Sequence, residues 1–440
     1  MTWLVREFAG ALLAGPWERR PMIARLAYVT NLPEAGWIVK LVAAVLRKHG
    51  EPPDHEALTD WLYSHRPLQR VLVDPEIRIR RWLEPPLEMA DSPWDVPPLG
   101  SRKELATWLG LDVQRLEALA DERGRVREAR EQRMRHYRYT WIAKRAGGHR
   151  LLEAPKPRLR AVQRLVLDDI VAKVPPHDAA HGFRAGHSVV GFAAVHVGRE
   201  VVIRVDLHAF FASVSRPRVA AIFRSAGYPR EIAGVLAALC THRTPRDVLA
   251  AAPSREWSEL AKLRGAHLPQ GAPTSGALAN LAAYRLDVRV AALAAAIGAS
   301  YTRYADDLVL SGPRALARAA SSIVGRIGAI AHDEGFALNF RKTRVMTASD
   351  RQRITGLVVN EKLAVTRDEV DRLRAILFNC ARTGPAAQNR EGHADFRAHL
   401  LGRISWVSAV DRGKGDRLRA LFDRIRWDEA PADATDEDVR

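Results

Sequence analysis

The sequence predicts a mixed α+β fold, and three observations carry that expectation. Val201-Val-Ile-Arg-Val-Asp206 is the most apolar short run in the middle of the chain and has the length and β-branched content of a buried strand, with an acid at its C-terminal end. Tyr301-Thr-Arg-Tyr-Ala-Asp-Asp-Leu-Val-Leu-Ser311 sets two adjacent acids between short β-prone runs, the pattern of a hairpin with Asp306 and Asp307 at its tip. Helical periodicity surrounds both. An Ala/Leu-rich stretch covers residues 277 to 299, and Leu316, Ala320, Ile323, Ile327 and Ile330 recur at helical spacing, one face suited to packing beneath a sheet.

The elements before these are helical. Residues 1–95 divide at breakers such as Pro52-Pro53 and Pro85-Pro86, and a Pro-rich linker, Asp91-Ser-Pro-Trp-Asp-Val-Pro-Pro-Leu-Gly100, follows. The opening run resembles a signal peptide only superficially: it lacks a basic start and is interrupted by Arg6 and Glu7, so an amphipathic first helix is expected. Ser101-Arg-Lys-Glu104 is a capping box that opens an amphipathic stretch with Leu105, Trp108, Leu109, Leu116 and Leu119. Trp61 and Trp82 are expected in a core rather than on an RNA-stacking surface.

At 440 residues the chain can bury a substantial core in two or three domains. Its 68 Lys+Arg against 51 Asp+Glu give a net charge of +17, which favours a polyanionic partner, although genome composition accounts for part of the arginine. Two cysteines, Cys240 and Cys380, argue against a disulfide framework and a Cys-rich zinc site. No run reaches the roughly 18 to 20 apolar residues of a membrane span, so no membrane partner and a cytoplasmic location are expected.

The acids suggest chemistry. Neighbouring side chains on a regular strand point to opposite faces, so a turn is what lets Asp306 and Asp307 serve one site. In a basic chain such a pair suggests a divalent-metal site acting on phosphates, although an Asp-Asp taken alone reads first as a solvated turn. Its company decides. Asp206 supplies a third carboxylate, and Leu268-Pro-Gln-Gly-Ala-Pro-Thr-Ser275 is a loop of small residues running into a helix start, which permits close backbone approach by a ligand.

In order and spacing, strand-Asp-x-x-x-Phe-Phe, Pro-Gln-Gly-x-x-x-Ser and Tyr-Ala-Asp-Asp resemble the palm motifs of reverse transcriptases. Lys144-Arg-Ala-Gly-Gly-His-Arg150, Glu153-Ala-Pro155 and Leu159-Arg-Ala-Val-Gln163 resemble their fingers segment. Gly335-Phe-Ala-Leu-Asn-Phe-Arg-Lys-Thr343 and Ile354-Thr-Gly-Leu-Val-Val-Asn360 resemble the closing palm strands. Bacterial retron enzymes are the nearest resemblance, through Gln270–Ser275 and Tyr301–Asp307 in unaltered wording. Of their Asn-Ala-x-x-His element, Phe192-Ala193-Ala194-Val195-His196 lacks the Asn, while Ile354-Thr355-Gly356 keeps their Val-Thr-Gly conservatively.

The resemblance implies a right-hand polymerase fold: a helical N-terminal extension (1–95), a helical lead-in (96–135), fingers (136–200), a palm with an antiparallel sheet and finger insertions (201–360), a helical basic thumb (361–427) and an acidic tail (428–440). It implies an RNA-directed DNA polymerase using Mg²⁺, or Mn²⁺, held by Asp206, Asp306, Asp307 and the Leu207 carbonyl. Phe211 is implied as the gate against a 2′-hydroxyl and Gln270 as a neighbour of the incoming nucleotide. Lys144 and Arg150 are implied as phosphate contacts, and Lys342 as the acid that protonates pyrophosphate. His196, Thr355 and Gly356 fall in the elements that hold cognate RNA, and His196 and His208 lack a second ligand at metal spacing. The implied partners are a structured non-coding RNA as template and primer, dNTPs, the DNA product and an effector protein, in anti-phage defence. Two alternatives remain: a reverse transcriptase of another bacterial lineage, of the non-retron defence or group II intron type, and a non-catalytic RNA-binding scaffold on a polymerase fold.

Overall fold

In the computed structural model, residues 2–30, 36–72, 89–122, 124–129, 131–144, 147–253 and 257–427 are described. Trp82, the Pro85-Pro86 breaker and the acidic tail expected from residue 428 lie outside them. The chain forms two compact units: Met1–Ala118 with Phe223–Val235, and Leu119–Ile222 with Leu236–Arg440. The boundary expected near residue 96 therefore falls inside the first unit.

The first unit begins with five helices, Thr2–Leu13, Arg19–Val29, Gly36–Lys48, His55–Ser64 and Arg66–Leu72. Phe8, Leu12, Met22, Leu26, Ile38, Val42, Leu58 and Leu62 form their common core, and Trp61 packs against it part-buried. The carbonyls left unpaired at the end of the first helix are taken by one side chain. The Arg25 guanidinium donates to Ala11 O at 2.8 Å, Leu12 O at 2.7 Å and Pro16 O at 3.0 Å. Ser101 and Glu104 form the expected capping box at the start of helix Arg102–Trp108.

Among the described residues the second unit holds three antiparallel sheets. Strands β1 (Tyr137–Ala143) and β2 (His149–Pro155) form a hairpin. Strands β3 (Val201–Asp206), β4 (Ser300–Tyr304), β5 (Asp307–Gly312) and β6 (Arg344–Thr347) form a four-stranded sheet in the order β4-β5-β3-β6. Strands β7 (Arg353–Ile354), β8 (Leu357–Val358) and β9 (Ala364–Val365) form a small third sheet. Val201, Val202, Ile203 and Val205 of β3 are fully buried, as a central strand covered on both faces requires.

Helix Ala315–Asp333 buries Leu316, Ala320, Ile323 and Ile327 as its spacing predicts, but Ala331 replaces Ile330 at the end of that face. Gly335, at φ +77°, ends the helix, and Phe336 N donates back to Ala331 O at 2.7 Å. That capping turn holds the next residues out of the sheet. The strand expected over residues 336–340 is reduced to one bridge, Leu207 to Leu338, flanked by hydrogen bonds from His208 N to Ala337 O and from Asn339 N to Asp206 O, both 2.7 Å.

The helix expected over residues 277–299 is two helices, Ser275–Ala282 and Tyr284–Ala296. Arg218 Nη2 reaches Ala282 O at 2.6 Å, so a side chain distant in sequence satisfies a carbonyl at the break. Helices Arg367–Thr383, Phe396–Val410 and Arg412–Phe422 close the unit. They bury Leu373, Leu377, Leu400, Ile404, Val407, Leu418 and Phe422 in one core with the β7–β9 sheet. Among the described residues no helix is long and apolar enough to cross a membrane.

Candidate active site

Strand β3 delivers Asp206 at its end, and β5 begins at Asp307; the two are directly paired in the antiparallel register. β4 and β5 are joined by only two residues, Ala305 and Asp306, with Tyr304 opposite Asp307. Ala305 takes φ +56°, the left-handed conformation that two-residue hairpins demand at their first central position. Leu207 N donates to Asp306 O at 2.8 Å. The three acids thus share one edge of the sheet.

An alanine at positive φ costs free energy, and a buried network holds it there. Arg303 is fully buried and donates through Nη1 to Ala305 O and Asn280 Oδ1, each at 3.0 Å. Its Nε and Nη2 pair with Asp287 at 2.8 and 2.6 Å, and Tyr301 OH donates to Asp287 at 2.7 Å. The segment ahead of Phe183 closes the turn from outside. His181 N donates to Arg303 O at 2.8 Å, Asn280 Nδ2 to Gly182 O at 2.7 Å, and a Cβ on Gly182 would stand 2.7 Å from Ala305 N.

The electrostatics are those of crowded carboxylates. Burial, then the charges of Asp307 and Asp206, push the Asp306 carboxyl up to about 6. Burial also raises Asp307, against the pull of Arg204. Lys342, on a single turn Phe340–Lys342, places Nζ 3.0 Å from both oxygens of Asp206. Arg204 forks onto Asp307 through Nε at 3.0 Å and Nη2 at 2.8 Å to each oxygen.

The expected convergence of three carboxylates is therefore modified. Among the described residues no group of three His, Cys, Asp or Glu side chains is arranged to hold a metal ion. Asp206 and Asp307 are each turned onto a protein cation, because like charges at one sheet edge take the nearest counter-charge. The donors nevertheless fit a hard divalent ion: they are carboxylate oxygens, and both cations sit on long side chains with a solvent-facing side, Lys342 at 50% and Arg204 at 32% exposure.

The two phenylalanines lie past the end of β3, Phe210 in a turn and Phe211 opening the short helical turn Phe211–Ser213, and that turn rather than strand alternation divides them. Phe210 is buried beside Phe336, with ring centroids 5.5 Å apart, and Phe211 is part-exposed. Gln270 is tied to β2, its carbonyl accepting from Glu153 N at 2.8 Å. Gly271 follows at φ +126°, where a Cβ would meet Leu152 Cδ1 at 2.9 Å. Lys144 pairs with Glu259 at 2.8 Å, and Arg150 is exposed on β2.

His196 departs from expectation. It is fully buried, its two ring nitrogens bonded to Ser311 Oγ and Thr302 Oγ1 at 2.7 Å each, so it offers RNA no surface in this structure. Burial lowers its pKa to about 3, and the ring is neutral. Thr355 and Gly356, at φ +46° and +94°, form the two-residue tip between β7 and β8. Arg351, Arg367, Arg374, Lys414 and Arg417, with Asp371 paired to Arg367 and Arg374, line a cleft of about 590 Å³ over Val365, Leu418 and Leu421.

Several residues of this site escaped the sequence reading. Arg204 had a signal, a lone charge inside the apolar run of β3, facing the same side as Asp206 two positions on. Glu153 stood within the fingers resemblance with no role given, and His267 had no signal. They form a buried pair at 2.8 Å with Thr244 Oγ1 donating to the other Glu153 oxygen at 2.7 Å, directly behind Gln270.

A strand acid in register with the first residue of an acidic hairpin strand, a second acid at the hairpin tip and a Pro-Gln-Gly loop held on β2 define a template-directed polymerase of the reverse-transcriptase class. Residues 142–363 match the family of reverse transcriptases (RNA-dependent DNA polymerases). The chain is 38% identical over 338 residues to the retron Mx65 reverse transcriptase of Myxococcus xanthus, covering 74% of this chain and 72% of that one. It is 37% identical to the retron Mx162 enzyme of the same organism, covering 74% and 67%. Against the retron Ec86 reverse transcriptase of Escherichia coli it is 29% identical, covering 63% and 76%. The chain belongs to the bacterial retron reverse transcriptases and is an RNA-directed DNA polymerase with a polymerase fold.

Proposed function

We propose that this polymerase, in the cytoplasm, copies a structured non-coding RNA encoded beside its gene into a short DNA joined to that RNA through a 2′-hydroxyl, and that the product serves anti-phage defence with an effector protein. The observation that carries the catalytic part is the pairing of Asp206 with Asp307 across the sheet, with Asp306 at the adjoining tip. Asp206 and Asp306, with Asp307 and the Leu207 carbonyl, are the residues to hold Mg²⁺ or Mn²⁺; the bound ions would acidify the primer hydroxyl and offset charge on the departing pyrophosphate.

The remaining roles fall to protein groups. Phe211 closes the space a 2′-hydroxyl would need, and Gln270 lies along the incoming nucleotide. Lys144 and Arg150 on the β1–β2 fingers hairpin engage its phosphates, and Lys342, released from Asp206, donates a proton to pyrophosphate. The arginine- and lysine-lined cleft of the thumb and the Thr355-Gly356 tip engage the RNA backbone, a role that charge and position support.

Expressing the gene with its flanking DNA should yield a short DNA that debranching enzyme alters and that vanishes in Asp306→Asn. If purified enzyme extends primers on RNA yet no branched species forms, the retron product assignment fails and a polymerase of another bacterial lineage replaces it. Undiminished extension by Asp306→Asn would remove the site assignment itself.

A further inference from the structure

Phe183 combines features that rarely coincide. It is a bulky residue at φ +56°, where L-residues are strained, and the residue is 53% exposed. The backbone before it is pinned by the Asn280 bond to Gly182 O and by the close approach of Gly182 to Ala305 N. Its ring stands edge-on to Phe211, with centroids 5.8 Å apart at 63°. Its other flank lies on Gly276, where a Cβ would come within 2.5 Å of the Phe183 ring. The strain is therefore maintained by the network that carries the acid turn, and its result is an aromatic wall against the proposed sugar gate.

We propose that Phe183 is a positioning residue for sugar selection: wedged on Gly276, it holds the Phe211 ring in place so that a ribonucleotide's 2′-hydroxyl meets a wall that cannot retreat. The inference rests on the proposed role of Phe211 and deepens it. Edge-to-face contact gives the pair a preferred geometry, and without Phe183 the part-exposed Phe211 ring gains freedom to move aside. A gate that yields discriminates poorly, since rejection of the extra hydroxyl depends on a clash rather than on a lost bond.

The test is steady-state incorporation of dNTP and rNTP by the full-length enzyme on primed RNA. Phe183→Ala should raise the rNTP-to-dNTP ratio of kcat/KM by about 10-fold or more, mainly through KM for rNTP, while kcat for dNTP stays close to wild type. Phe183→Tyr should retain discrimination, and Gly276→Ala, which displaces the ring without removing it, should relax selection in the same direction. In a Phe211→Ala background the Phe183→Ala change should add nothing. An unchanged ratio in both Phe183→Ala and Gly276→Ala, with Phe211→Ala altered, overturns the positioning role alone. An unchanged ratio in Phe211→Ala overturns the gate reading, and the positioning role with it. Should Phe183→Ala fold poorly, Gly276→Ala and Phe183→Leu provide the same comparison.

Discussion

Arg204 grips Asp307 with three N–H···O contacts of 2.8 to 3.0 Å, from a neighbouring strand and from two residues before Asp206. The second acid of the hairpin is thereby held by a fork, in a geometry lysine cannot reproduce. Arg204→Gln should destabilise the metal-free protein by about 1–3 kcal/mol, because Asp307 loses a charged partner at a largely buried position. It should also strengthen binding of Mn²⁺, the carboxylate no longer being occupied. Thermal shift with and without Mn²⁺ checks both, and a variant with wild-type melting and ion response would show that the fork is incidental.

Asp306 is held at a cost by burial and by the charges of Asp307 and Asp206. Its folded pKa of about 6 lies above its unfolded value. Above that pH both states are ionised and the fold carries the full penalty, at most about 3 kcal/mol and less for a part-exposed group. The penalty fades as pH falls through 6 and is gone below about 3.9. Metal-free Asp306→Asn should therefore melt above wild type at pH 8, with the gap closing in acid, while its primer extension is expected to be lost. Adding Mg²⁺ should raise wild-type melting more than that of the variant.

The pair behind Gln270 depends on pH in both directions. Burial opposes charge on both groups, but Glu153 holds the His267 imidazolium above its usual range, and His267 with Thr244 holds Glu153 below its own. The histidine contribution is fully present below about 6.5 and is lost as pH rises through the raised folded value; the glutamate contribution is lost as pH falls through the depressed one. Neighbouring His242, driven by burial to about 3, stays neutral. The melting gap between wild type and Glu153→Gln should be widest at about pH 5.5, between the ordinary glutamate and histidine ranges, and should narrow in alkali. A gap independent of pH would mean that the pair carries no ionic contribution.

Gly182 has no room for a side chain on the flank of the acid turn. Gly182→Ala puts a methyl 2.7 Å from Ala305 N, backbone against new carbon, so the hairpin tip must shift. A loss of about 1–3 kcal/mol and a fall in kcat of about 100-fold are expected, since small misplacement of catalytic groups is costly. Ala305→Gly, which suits φ +56°, should leave stability within about 1 kcal/mol of wild type. Equal kcat for Gly182→Ala and wild type would sink the idea that the close approach sets the turn.

What the sequence by itself determined is local. β3 and its terminal acid, the acidic hairpin and the capping box at Ser101 follow from apolar periodicity and from turn and cap chemistry, which act within a few residues. Tertiary structure alone decided what those elements meet. The Asp206–Asp307 register, the Arg204 and Lys342 partners, the break at Ala283 under Arg218 and the wedge of Phe183 on Gly276 all join positions tens to more than a hundred residues apart. His196 illustrates the difference. Its motif context suggested RNA, yet the hydroxyls of Thr302 and Ser311, on two strands more than a hundred residues downstream, enclose it. Ion pairs and buried hydrogen bonds depend on ångström-scale distances that long-range packing sets, and no local pattern in the chain encodes them.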